Sequence, residues 1–183
     1  MTSRVFEPLS LDIAAFARQG GETSGMEPIA TLNRLFDEAH ADAKPVASEQ
    51  VEWQAKGETR SRRGGEPQIW LHLTCRTRLA LICQRCLQPV DTEVHAQRSF
   101  QFVADEALAA EIDADSEEDV LALSRTLNLI ELIEDELLLA LPLVPRHPAC
   151  TQPLNPSRDA EPFEERANPF AMLGDLKRKS MPN

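Results

Sequence analysis

Two short segments of the chain contain the residues best suited to bind a metal ion. The first is Cys83-Gln84-Arg85-Cys86, and the second is His147-Pro148-Ala149-Cys150. Thiolate sulfur and imidazole nitrogen are preferred ligands of Zn²⁺ in tetrahedral sites. Sixty residues separate the two pairs, so the spacing alone does not show that they meet. The two pairs could together form one zinc site; the alternative, which so long a spacing favours, is that Cys83 is a core residue and that Cys86 and Cys150 have no shared role. The predicted ligands are Cys83, Cys86, His147 and Cys150.

A Cys-x-x-Cys pair can also carry out thiol–disulfide chemistry. Reactive pairs usually open a helix, whose N-terminus lowers the thiol pKa, whereas this pair lies between two strand-like segments. A redox role is therefore disfavoured, and Cys75 is predicted to be an inert core residue. The N-terminal segment has no continuous apolar stretch typical of a signal peptide, so we expect a cytoplasmic protein without structural disulfides.

No arrangement of residues specifies a reaction. The sequence has no glycine-rich phosphate loop and no recognisable Ser-His-Asp set. The acidic run Glu134–Glu136 could bind a metal or act as general acid and base, but the solvent-exposed face of a helix is the favoured interpretation. The other histidines are predicted to lie on the surface: His40, His72 and His95. We therefore predict that the protein is not an enzyme; the alternative is a nuclease-like RNA-processing enzyme that uses these acids or a metal.

Charge is distributed unevenly along this acidic chain, whose net charge is −11. Asp105 to Glu136 contains twelve acidic residues and one arginine, while Arg60 to Arg98 contains seven arginines and three acids. The part of this stretch from Asp105 to Asp119 could bind a basic protein, and the arginines could contact RNA phosphates. Solvated acids and solubilising arginines are the simpler alternative. The candidate contacts to RNA or a partner are Arg76, Arg78, Arg85, Lys177, Arg178 and Lys179.

Alternating apolar and polar residues predict the strands that position the first cysteine pair. The alternation runs through residues 69–83 and 90–102, with a weaker strand at 51–62. This period of two is typical of an antiparallel sheet with one face in water. The turn between the two longer strands, residues 84–89, would direct both thiolates of the pair to one point.

Helical patterns flank these strands at residues 9–19 and 29–41, and a stronger helix is predicted from an N-cap at Asn128 to Leu141, before Pro142. We expect an α+β fold, in which short helices pack on a small antiparallel sheet of three or more strands. Residues 1–150 are predicted to form a single domain with an acidic loop, or a frayed helix, at about 104–124. Residues 151–183 are predicted to form a Pro-rich extended tail that ends in a short basic amphipathic segment.

Three blocks together resemble the bacterial YceD family of large ribosomal RNA subunit accumulation proteins. They are CQRCLQPV at 83–90, LIEDELLLALPLVPRHPAC at 132–150 and NPFAMLGDLKRK at 168–179. The resemblance implies a cytoplasmic accessory factor for synthesis, processing or stability of 23S rRNA. The implied partners are a large-subunit ribosomal protein, precursor 23S rRNA, or both, with no membrane and no small-molecule substrate. The family has no defined active-site residues to carry over, and of the predicted ligands only the Cys-x-x-Cys turn matches its pattern.

Overall fold

The computed structural model describes residues 6–62 and 64–150, which fold into a five-stranded sheet together with four α-helices. The sheet order is β1-β2-β3-β4-β5, and the first four strands are antiparallel neighbours. The strands are β1 (Glu22–Pro28), β2 (Gln50–Arg60), β3 (Gln68–Ile82), β4 (Pro89–Val103) and β5 (Asp119–Ala122). The predicted α+β class is confirmed, and so is the antiparallel pairing for β1 to β4; β5 pairs in parallel with β4, which makes the sheet mixed.

The alternation seen in the sequence sorts the side chains of the long strands between two faces. Trp53 of β2 lies opposite Cys75 of β3, which in turn lies opposite Ala96 of β4. All three are buried in the main core. Because successive side chains of a strand point to opposite faces, the residues between them form the polar face.

Three helices cover the apolar face of the sheet: α1 (Ile13–Arg18), α2 (Asn33–Glu38) and α4 (Leu129–Leu139). Three-residue 3₁₀ turns also occur at Pro8–Ser10, Ile29–Thr31 and Ala41–Ala43. The predicted N-cap of α4 is confirmed, since the Asn128 side chain accepts a hydrogen bond from the Glu131 N–H. The helix ends at Leu139, two residues before the predicted Leu141.

The acidic stretch is more ordered than the predicted loop or frayed helix. It contains α3 (Glu106–Asp113) and β5, which pairs in parallel with the end of β4. Asp105 caps α3 by accepting the Leu108 N–H, and Asp113 accepts the Val120 N–H. A second, small core holds this segment to the sheet; its members are Val103, Ala109, Ile112 and Val120. Two of the acids therefore have structural roles that the charge pattern did not indicate.

The strand β1 is a second element that the sequence did not predict. None of its side chains is fully buried, and Gly25 lies against the ring of Trp53 in the next strand. A half-exposed edge strand of this kind lacks the alternation that identifies the longer strands. Its pairing with β2 completes the sheet on that side.

The predicted tail, residues 151–183, lies outside the described residues, so its extended form and the division of the chain at residue 150 stay predictions. Among the residues that the structure describes, none of the helices is long and apolar enough to cross a membrane.

Candidate metal centre

The turn between β3 and β4 brings the first cysteine pair together. The Cys83 N–H donates to the Gln88 carbonyl at 3.0 Å, and the Leu87 N–H donates to the Cys83 carbonyl at 2.9 Å. These bonds close a tight loop at the end of the two strands. Both thiols are buried. Cys83 directly follows β3 and continues the series of buried positions that includes Leu79 and Leu81.

Leu87 takes an unusual backbone conformation in this turn. Its φ angle is +58°, a left-handed value at which a non-glycine residue is disfavoured by about 1–2 kcal/mol. The residue is 53% exposed, so burial offsets little of this cost. The local hydrogen bonds impose the conformation, because the Leu87 N–H must point back to Cys83 while its carbonyl accepts from His40 Nε2 at 3.0 Å.

The second ligand pair reaches the same place after α4. The Gln84 N–H donates to the Pro145 carbonyl at 2.9 Å, which fastens the segment after α4 to the turn. Cys83 Sγ then lies 3.8 Å from Cys150 Sγ, and Cys86 Sγ lies 3.4 Å from His147 Nδ1. The four ligand atoms all lie within 4.8 Å of one another, in an arrangement that could hold a metal ion. The structure thus brings together the four side chains that the sequence singled out.

The orientation of the His147 ring is determined by its second nitrogen. Nε2 lies 3.0 Å from the Pro89 carbonyl oxygen, which can only accept a hydrogen bond. Nε2 must therefore carry the proton, and Nδ1 is left with a lone pair that points toward the thiols. Metal-binding histidines are commonly oriented in this way.

The backbone around the thiols changes their acidity. Burial by itself raises the pKa of the Cys83 thiol, but the N–H groups of His147, Arg85 and Cys86 outweigh it and lower the pKa to about 5. Burial, together with the neighbouring thiols, raises the pKa of Cys150 to about 11.

Cys75 lies apart from these ligands, in the middle of β3. It is buried, and this burial raises the pKa of its thiol to about 12. A thiol of this kind stays protonated and unreactive. The predicted position of Cys75 in the core is confirmed.

His40 contacts the turn of this site, although the sequence pattern placed it on the surface. It is buried; its Nδ1 accepts the Asp42 N–H, and its Nε2 contacts the Leu87 carbonyl. Its own backbone N–H donates to the Ala80 carbonyl of β3. The ring therefore supports the strained turn from the side of α2. No periodicity or spacing in the sequence indicates this contact, because Ala80 and Leu87 are 40 or more positions away.

The predicted arginine patch on the polar face of the sheet is divided by ion pairs. Arg76 donates to Glu52 through Nε at 2.9 Å and Nη2 at 2.6 Å, and Arg78 lies opposite Glu93 in the sheet register. The polar face therefore carries mixed charge. Of the other predicted contacts, Arg85 is exposed in the cysteine turn, while Lys177, Arg178 and Lys179 lie outside the described residues.

The acidic run of α4 is not the solvated face that was predicted. Glu134 is 8% exposed; its Oε1 accepts the backbone N–H groups of Arg34 and Leu35, and its Oε2 accepts from the Arg34 guanidinium. Glu136 is buried as well, and burial raises its pKa although Arg98 lies 3.3 Å away. Asp135 is partly exposed, and it also pairs with Arg34. These contacts make the run a structural feature that joins α4 to α2 and β4.

Comparison with known proteins identifies one family. The family model for the large ribosomal RNA subunit accumulation protein YceD matches residues 71–177, more than half of the chain. A protein of that name from Haemophilus influenzae is 32% identical over 104 residues, which cover 54% of this chain and 60% of the relative. The chain thus spans less than two thirds of that relative's length. No solved structure matches the chain. The matched region includes most of β3, all of β4 and α4, and all four candidate ligands, and the chain belongs to the YceD family.

Proposed function

We propose that this protein is a cytoplasmic accessory factor for biogenesis of the large ribosomal subunit, acting on the synthesis, processing or stability of 23S rRNA. The family match over residues 71–177 carries this proposal, since the similar protein from Haemophilus influenzae is named for accumulation of the large ribosomal RNA subunit. Under this proposal the chain acts by binding and is not an enzyme.

A basic protein of the large subunit is the partner that the surface charge favours. Residues 105–119 contain eight acidic and no basic residues, and these acids are exposed around α3 and β5. Ordered carboxylates at fixed positions attract a basic surface and speed its association. The sheet arginines are less favourable for RNA, because Arg76 and Arg60 are already paired with acids. Precursor 23S rRNA is the second candidate, through Arg85 and the basic residues 177–179.

The alternative of a nuclease using the α4 acids receives little support from their contacts. A general base or metal ligand needs a free carboxylate oxygen, and both oxygens of Glu134 accept hydrogen bonds from α2. Zn²⁺ is proposed as the cofactor of the Cys₃His group, because thiolates and imidazole together favour zinc among the common divalent ions. Its part in the ribosomal function would be structural.

The partner can be identified with two matched variants in a pull-down with and without nuclease. The acid-neutralised variant changes four exposed acids of the α3–β5 segment to glutamine and keeps Asp105 and Asp113, which bond the backbone. The changed residues are Glu106, Glu111, Glu117 and Glu118. The control variant makes the same change of charge on exposed acids elsewhere: Asp37→Asn, Glu38→Gln, Asp42→Asn and Asp91→Asn.

We expect the wild type and the control variant to retain a basic large-subunit protein after nuclease treatment, and the acid-neutralised variant to lose most of it. Equal retention by both variants would contradict the role of the acidic segment. Loss of all partners on nuclease treatment would show that precursor rRNA is the direct partner instead.

A further inference from the structure

Two of the separations between the candidate ligand atoms match the edges of a tetrahedral coordination sphere. A tetrahedron with Zn–S bonds of about 2.3 Å has S–S edges of about 3.8 Å, and a Zn–N bond of about 2.1 Å gives S–N edges of about 3.6 Å. The Cys83–Cys150 separation is 3.8 Å and the Cys86–His147 separation is 3.4 Å. The remaining separations stay within 4.8 Å. The ligand atoms therefore surround a space of the size that a tetrahedral ion occupies.

The surroundings of these atoms are also those of a prepared site. The Pro89 carbonyl holds the His147 ring with Nδ1 turned toward the thiols. The hydrogen bond from the Gln84 N–H to the Pro145 carbonyl places the start of the second segment beside the turn. Preorganisation of this kind reduces the ordering cost of binding.

From this geometry we propose that Zn²⁺ forms a closed clasp with Cys83, Cys86, His147 Nδ1 and Cys150, which fastens residues 145–150 to the β3–β4 turn. The inference rests on the cofactor named in the proposed function and adds its coordination geometry and the two segments that it joins. Four protein ligands complete a tetrahedral sphere, so there is no open position for a water molecule or a substrate. The clasp is therefore structural. It joins segments that are separated by the whole of β4, α3, β5 and α4.

Metal content and cobalt substitution test the ligand set directly on the purified full chain. We expect one zinc ion per chain in the wild type, and visible absorption typical of tetrahedral, thiolate-bound cobalt after exchange. Cys83→Ser and Cys150→Ser should each lose the ion, whereas Cys75→Ala should keep it because that thiol lies away from the site. His147→Ala should weaken binding by roughly tenfold or more, and His147→Cys should restore it by supplying a fourth thiolate.

Trypsin provides a readout of the clasp that does not depend on measuring the metal. Arg85 and Arg146 are exposed cleavage sites that lie within the two ligand segments. With zinc bound, cleavage after both arginines should be slow, and a chelator should accelerate it, because local opening must precede cleavage. Cleavage after Arg18 and Arg125, away from the site, serves as the internal control.

Absence of zinc after purification and after addition of zinc salt would overturn the proposal. Full zinc occupancy in the Cys83→Ser and Cys150→Ser variants would overturn it as well. Trypsin cleavage after Arg146 at the same rate with and without chelator would also contradict it. These measurements contain no ribosomal component. Their failure would therefore leave the ribosomal function standing, and failure of the pull-down would leave the clasp standing.

Discussion

At the scale of single residues, Glu134 shows how much one side chain can do for this fold. The residue before α2, Leu32, provides no side-chain cap, and the carboxylate from α4 supplies the missing acceptor for two N–H groups of the first turn. The Arg34 guanidinium balances its charge. A buried carboxylate is tolerated only with such partners.

Replacing Glu134 by glutamine should lower the free energy of unfolding by about 2–3 kcal/mol. The amide has one acceptor oxygen instead of two and no charge for Arg34, so charge-assisted hydrogen bonds within a buried region are lost. Asp135→Asn is the matched control on the same helix, and its exposed ion pair should contribute under about 1 kcal/mol. Urea unfolding followed by circular dichroism measures both; equal effects of the two substitutions would contradict this account.

Residue-scale contacts of this kind could not be predicted from the sequence. Arg34 and Glu134 are 100 positions apart, and nothing in the local pattern of α4 distinguishes the buried Glu134 from the more exposed Asp135 beside it. The metal ligands could be predicted better because cysteine and histidine are rare here and occur in pairs. Even so, the sequence does not show that His147 and Cys150 lie beside Cys83 and Cys86. Only the fold brings the two pairs together.

At the scale of elements, the position of α1 depends on the absence of a side chain in β2. A Cβ atom on Gly57 would lie 2.7 Å from the Phe16 ring and 2.8 Å from the Ala17 Cα. The helix therefore packs directly on the strand backbone, where the Gly57 N–H also donates to the Gly21 carbonyl.

Gly57→Ala should destabilise the protein by about 1–3 kcal/mol, because the added methyl group must push α1 off the sheet. Gly65→Ala in the β2–β3 turn is the control, since the nearest atom to the added methyl group there would be a flexible Arg62 side-chain carbon at 3.6 Å. Thermal unfolding of both variants provides the comparison. A Gly57→Ala protein as stable as the Gly65→Ala control would show that the helix adapts without cost.

The elements differ in how clearly the sequence predicts them. The three central strands alternate over ten or more residues, and α4 has a cap and an apolar face, so both patterns are clear. By contrast, β5 has four residues and β1 is an edge strand interrupted by Gly25. Their pairing depends on neighbours already in place, and the acidic composition gave no indication of the small core beneath α3.

At the scale of the whole molecule, the most acidic segment and the packed framework are different parts of the fold. The apolar face of the sheet, its three helices and the candidate clasp form the framework, while the α3–β5 segment presents most of its carboxylates outward. The uneven charge is evident from the sequence. The sequence does not show that the acids are ordered on a helix and a strand. That order is what makes the segment a defined docking surface in the proposed function.

The central claim is that the protein acts in accumulation of large-subunit RNA through its acidic segment. The ratio of 23S rRNA to small-subunit rRNA in cells tests this claim most directly. The measurement compares cells lacking the gene with cells that express the wild type, the acid-neutralised variant or the control variant at equal protein levels. We predict that the ratio falls without the gene, returns with the wild type and the control variant, and stays low with the acid-neutralised variant. A ratio that is unchanged when the gene is absent would contradict the account.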